Sequence, residues 1–360
     1  MAQKNRTDTD NQQKSSTQLK RPTIFDLEAY TGFSRSTISR AFNPDASVKP
    51  DTRENILRAA DEIGFSLHPG AKMIRSKRSY RWGLLLPHLE NPEYAELVKC
   101  FDAEARRLNT HLMLGLTHYD PSVESTFLKH WAAGEADGVI CNVCGRGKND
   151  EVYKQLLKRR YPLLGLFDGI PGISTINTNA YDSFCLGIRN LVELGHRRIA
   201  YVGLTHKGNH PPSTFLAYKD ELERNKITID DSLILLGENN QEAGAHAWRR
   251  LKEMDNAPTA IIAFNDILAT GIWIGVYTSG LSIPKHLSIM SNDNIPEAQL
   301  MGITSVRYDH AQLAREAIAE LERMRSDSSA KPRLIEMKTD LVMRGSIGRP
   351  GSRDKGWHEQ

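Results

Sequence analysis

Two sets of side chains in this chain have types and spacings suited to chemistry. The first is Arg35, Ser36 and Arg40, with Thr37 and Ser39 between them and Ser34 just ahead. Ile38 and Phe42, four apart, give this short segment one apolar stripe at helical spacing. Arginines and small hydroxyls opposite such a stripe put donors outward and bulk inward, as a helix entering a major groove requires. An ordinary surface helical hairpin would carry the same pattern. The second set is Cys141-Asn142-Val143-Cys144. A CxxC can hold metal or form a redox pair, but a structural zinc wants four ligands. No second CxxC and no HxxxH accompanies it, so no metal is expected. A redox pair stays open beside the plainer reading, two small residues at the end of a strand. His111, His118, His130, His206 and His210 have no ligand spacing. GRGKND lacks the spacing and the Ser/Thr of a Walker loop, and no GxSxG occurs. No enzyme activity and no cofactor is therefore expected.

The elements that would carry the arginines are short. Thr23 stands at an N-cap position ahead of Ile24, Leu27 and Glu28, and Gly32 supplies a turn before Ser34 caps a second helix. Pro50-Asp51-Thr52-Arg53-Glu54 opens a third helix, with Ile56, Leu57, Ala60 and Ile63 at helical spacing up to Gly64. Residues 67–78 are basic and poorly able to bury themselves. Charge is placed unevenly. The whole chain of 360 residues carries +3, and residues 20–80 alone carry +4, from eleven Lys/Arg against seven acids. A basic head on a near-neutral body suits a protein that touches phosphate with one end.

Residues 1–21 are polar with no apolar core, so they read as a disordered tail rather than a secretory signal. Residues 349–360 read as a flexible tail. No run of 18 apolar residues occurs, so no membrane span is expected. With only four cysteines, the chain suits a reducing cytoplasm.

From Tyr80 onward, short apolar runs such as WGLLLP, HLMLGL, DGVIC, RIAYVG and AIIAF alternate with amphipathic helical stretches. This alternation predicts parallel sheets covered on both faces, arranged as two lobes with a cleft at the carboxyl ends of their strands.

The runs TIFDLEAYTGFSRSTISRAFN, VKPDTRENILRAADEIGF and AKMIRSKRS together resemble the headpiece and hinge of the lactose/galactose repressor (LacI/GalR) family of bacterial transcription regulators. ADGVI, LVELGHRRIAYVG, PTAIIAFNDILATG, GLSIPKHLSIMSNDN, ITSVRYD and LVMRGS are similar to further landmarks of that family, in family order. The resemblance covers roughly residues 22–348. It implies a helix-turn-helix headpiece at 22–66 (motif 24–43) and a hinge at 67–79. A two-lobed effector-binding and dimerisation domain, like periplasmic sugar-binding proteins, would follow at 80–348. In such proteins the chain crosses between lobes three times, here expected near 174–180, 305–310 and 328–335.

The resemblance also implies roles. Arg35, Ser36 and Arg40 match base-reading positions, with a phosphate contact as the alternative for each. Thr23, Ser34, Thr37, Ser39 and Asn43 would position the DNA backbone. Ile74 matches a residue that wedges into the minor groove, with Lys72 and Arg75 beside it. Gly70 just upstream costs a hinge helix about 1 kcal/mol against alanine. Asn265 and Asp293 match effector-binding positions, and Tyr94 would stack on a ring. An Asn–Asp pair offers donors and acceptors suited to a sugar or polyol. Asp293 could instead be purely structural. The sequence departs from the family at Thr214, where an arginine is usual, at Thr178-Asn179 and at Asn239. The expected protein is a homodimeric, cytoplasmic, nucleoid-associated repressor on a near-palindromic operator. The rival is a solute-binding protein with no DNA role, against which the basic head argues.

Overall fold

The computed structural model describes residues 22–43, 46–66, 78–167, 169–204, 212–327 and 329–351. The chain forms two compact units that divide between Arg78 and Ser79.

The first unit packs three helices, α1 (Ile24–Thr31), α2 (Arg35–Ala41) and α3 (Pro50–Ile63). Thr23 caps α1 through a reciprocal pair with Asp26, and Ser34 caps α2 by accepting from the Thr37 N–H at 3.3 Å. Gly32 and Gly64 end α1 and α3 at φ of 71° and 69°, in the left-handed region where glycine has no Cβ to clash. Leu27, Ile38, Ala41, Ile56, Ala60 and Phe65 form the core, and Phe42 meets Phe65 edge-on.

The second unit has two lobes, each built on a six-stranded sheet. In the first lobe the order is β11 (Leu334–Met337), β5 (Ser174–Thr178), β4 (Leu163–Leu166), β3 (Gly138–Asn142), β1 (Arg81–Leu86), β2 (His111–Leu116). In the second it is β12 (Thr339–Val342), β10 (Thr304–Tyr308), β9 (Ser288–Asn292), β8 (Ala260–Ala263), β6 (Ile199–Leu204), β7 (Ile234–Gly237). The sheets are parallel, as the alternation predicts, with one antiparallel pair among the described strands, β10 with β12.

Two of the three crossings lie within the stretches the sequence suggests, and the third lies later. Residues 174–178 and 304–308 are sheet strands, and the chain changes lobe just after each, at Asn179-Ala180 and at Asp309. The third passage is the single residue Lys338 between β11 and β12, not 328–335. Polar composition misleads here because the polar groups are buried and paired. Ser174 donates to Glu320 at 2.7 Å, and Ser346 accepts from the Thr304 N–H at 2.7 Å.

Helix α4 (Pro92–Arg107) starts at the carboxyl end of β1, and α10 (Asp266–Thr278) at that of β8, so both helix N-termini face the cleft. Gly271 on α10 touches the backbone of Gln241 on α9 (Gln241–Lys252), where a Cβ would collide, so the two helices cross closely and fix the start of α10. The described chain runs past Gly348, whose carbonyl accepts from His196, to Gly351 against Lys285.

Candidate nucleic-acid interface and interlobe cleft

On α2 the two faces separate as the stripe predicts. Ile38 and Ala41 are buried, whereas Arg35, Ser36 and Arg40 are exposed. The Arg40 Nε–H lies over its own helix, 3.4 Å from the Ser36 carbonyl. Ser34, Ser36 and Thr37 share hydroxyl contacts at 3.0 Å. Thr23 is exposed as a cap, and Asn43 is half-buried. Ser39 is the correction among these residues. It is 8% exposed and turned towards the core, because it follows Ile38 on the inward side of a seven-residue helix of about two turns. Its hydroxyl is not offered to a DNA backbone. Lys72, Ile74 and Arg75, with Gly70, lie outside the described residues.

Arg53 is the headpiece residue that sequence reading missed. Its guanidinium donates to the carbonyls of Ala41 at 2.8 Å, Asn43 at 2.7 Å and Ala46 at 2.7 Å. These are the carbonyls that the end of α2 leaves without helical partners. The spacing TREN at a helix start showed only the helix.

In the cleft, Asn91 caps α4, accepting from the Glu93 N–H at 3.0 Å, and its amide reaches the Asp293 carboxylate of the other lobe at 3.5 Å. Asp293 follows β9 at φ 105°, with its N–H on the Val306 carbonyl and its other oxygen accepting from Asn292 at 2.8 Å. Burial, then the charges of Glu93 and Asp266, push its carboxyl well above the usual carboxylate range. Tyr94 is 9% exposed, edge-on to His88, and its hydroxyl accepts from Asn142 at 3.4 Å.

Asn265 caps α10 instead of reaching across. Its oxygen accepts from the Leu268 N–H at 3.2 Å, and its amide donates to Asn239 at 2.8 Å. Thr214 is buried with its hydroxyl on Tyr201, so it brings no charge to the cleft.

Three residues that the sequence did not single out tie the lobes together. Glu93 accepts from the Tyr308 hydroxyl and from His310 Nε2 at 2.8 Å, on either side of the second crossing. Burial alone would lower the His310 pKa, but the hydrogen bond and charge of Glu93 outweigh it and hold the imidazole above its ordinary value.

The CxxC lies at the end of β3 beside buried Glu124. That carboxylate accepts from the Tyr153 hydroxyl, Asn149, and the N–H groups of Cys144 and Gly145. Burial and then the Glu124 charge push the Cys141 thiol well up and the Cys144 thiol to about 12. Such thiols carry almost no thiolate, the form that reacts, so redox sensing finds no support here. Among the described residues, no three His, Cys, Asp or Glu side chains converge as metal ligands. Nor is any described helix long and apolar enough to cross a membrane.

Known proteins share this arrangement. Residues 188–347 match the family described as periplasmic binding protein-like domain. Catabolite control protein A of Priestia megaterium is 26% identical over 301 residues, covering 81% of this chain and 90% of that protein. The HTH-type transcriptional regulator DegA of Bacillus subtilis is 27% identical over 335 residues, covering 90% and 97%. The crystal structure of the lac repressor dimer bound to operator and the anti-inducer ONPF superposes with a TM-score of 0.80 at 21% identity, over 91% of this chain and 99% of that one. At that identity the superposition speaks to fold, and of the two relatives DegA is a transcriptional regulator by name. With its capped three-helix headpiece and paired six-stranded lobes, the chain has the fold of the lac repressor and is similar over most of its length to these relatives, in line with its resemblance to the lactose/galactose repressor (LacI/GalR) family.

Proposed function

We propose that this protein is a sequence-specific DNA-binding repressor, not an enzyme. It works in the cytoplasm, in association with the nucleoid, as a homodimer on a near-palindromic operator. The operator symmetry follows from the two-fold symmetry of a dimer. A small, neutral, sugar-like molecule between the lobes shifts operator affinity. It does so by binding one relative setting of the lobes better than the other, which is all that an effector can use. The observation that carries the DNA reading is α2. A helix with Ile38 and Ala41 buried and Arg35, Ser36 and Arg40 exposed presents donors to base edges from a fixed core. The cleft reading is supported by Asn91, Tyr94 and Asp293 meeting between the carboxyl ends of the two sheets.

Arg40→Ala is the direct test. The expected result, in fluorescence anisotropy with the protein's own promoter region, is a loss of about 1–3 kcal/mol with relaxed preference at one base pair per half-site. Equal weakening on every sequence would make Arg40 a phosphate contact. Salt-dependent binding that is the same for promoter and unrelated DNA, with or without Arg40, would remove the sequence-specific reading altogether.

A further inference from the structure

Glu28 belongs to α1, outside the helix that faces DNA, yet it is joined to Arg35 at the start of α2. Glu28 Oε2 lies 3.2 Å from Arg35 Nε, and Glu28 Oε1 accepts from the Arg35 backbone N–H at 3.3 Å. On its other side the Arg35 guanidinium stands 4.9 Å from the centre of the Phe25 ring, and Phe25 is 61% exposed. An aromatic ring left that open on a small headpiece adds little to the core. Its face is available to a cation, as here. Glu28 is also badly placed for its own helix, because an acid in the last turn opposes the helix dipole. Its partners lie across the turn.

Geometry decides what Arg35 keeps for DNA. A guanidinium recognises guanine with two N–H groups on one edge. Nε is the guanidinium nitrogen paired with Glu28, so the edge formed by the two terminal nitrogens is the one left to address a base. The ring face beneath limits how the plane can rotate. A carboxylate in this position also repels phosphate, so it weakens attraction to any DNA while leaving a bidentate base contact intact.

We propose that Glu28 is a specificity-determining positioning residue: with Phe25 it holds the Arg35 guanidinium in one pose on the recognition face, so that Arg35 addresses a base edge rather than a phosphate. The inference rests on the reading of Arg35 as a base contact. Removing Glu28 frees Arg35 to swing to the nearest phosphate. Discrimination at one base pair falls, and binding to unrelated DNA rises.

The experiment uses the full chain and two duplexes of equal length. One carries the site that the wild-type protein enriches from a randomised library, and the other is an unrelated sequence. Glu28→Gln is expected to lower the ratio of specific to nonspecific affinity about tenfold, the order of one bidentate contact. It should also steepen the dependence of nonspecific affinity on salt by about one unit, the equivalent of one new phosphate contact. In an Arg35→Gln background the same change should leave the ratio unaltered. A purely structural role for Glu28 as a cap on α2 would lower the melting temperature and move neither quantity. If Arg35→Gln changes one column of base preference and Glu28→Gln changes none, the inference is overturned. If Arg35→Gln changes no column, the base-contact reading falls and the inference falls with it.

Discussion

Replacing Arg53 with alanine is expected to abolish operator binding and to unfold the headpiece, while the two-lobed unit melts as before. One guanidinium there holds three backbone carbonyls, those of Ala41, Asn43 and Ala46, and so fixes both the end of α2 and the loop leaving it. Hydrogen bonds from a charged donor contribute about 1.5–3 kcal/mol each, and carbonyls left unpaired in a half-buried site add a desolvation cost. These contributions are not additive, but a loss of about 3–5 kcal/mol is comparable with the whole stability of so small a helical domain. Arg53→Lys should recover only part of this, since an ammonium cannot span three acceptors as a planar fork does. Calorimetry of the intact chain separates the two units, and anisotropy reads the operator. Wild-type binding by Arg53→Ala would remove Arg53 from the DNA-binding architecture.

Much of this arrangement can be read from the sequence where a local pattern causes a local structure. Thr23, Gly32 and Ser34 announce caps and a turn because each acts within four residues of itself. WGLLLP and AIIAF announce buried strands because a parallel sheet covered on both faces needs unbroken apolar runs. The strands after which the chain changes lobe are harder. Ser174-Thr175 and Thr304-Ser305 look like loop, yet they are buried, because partners far along the chain, Glu320 and Ser346, satisfy them.

The same limit hides part of the cleft. Glu93 reads locally as an acid complementing a helix N-terminus, and nothing near it in sequence points to Tyr308 or His310, more than 200 residues away. Asn265, legible as an effector position through family resemblance alone, is engaged as a helix cap and with Asn239. Cys141 and Cys144 form a suggestive spacing whose chemistry is decided by a residue outside it, Glu124.

The second large effect is expected at Asp293. Neutral sugars and polyols should raise the melting temperature of the protein, since a ligand bound only by the folded state stabilises it. Sugar acids should bind at least about 100-fold more weakly, because a carboxylate leaving water needs a charged or multiply donating partner. None of the described partners of Asp293 is a lysine or arginine, and Glu93 and Asp266 add negative charge around it. The sign of the pH dependence follows from the direction of the shift. The folded-state pKa of Asp293 is raised, so the folded protein favours the protonated carboxyl. Its contribution is fully present below the unfolded value of 3.8 and is lost as pH rises through the higher folded value. Ligands that need Asp293 as a donor should therefore weaken as pH rises. Asp293→Asn, which keeps a donor and cannot ionise, should flatten that dependence. Thermal-shift titrations of both proteins against neutral sugars and sugar acids, repeated from mildly acid to mildly alkaline pH, read all of this at once. If only acids shift the protein, and Asp293→Asn leaves the shift and its pH profile intact, then Asp293 is structural and the cleft takes an anion.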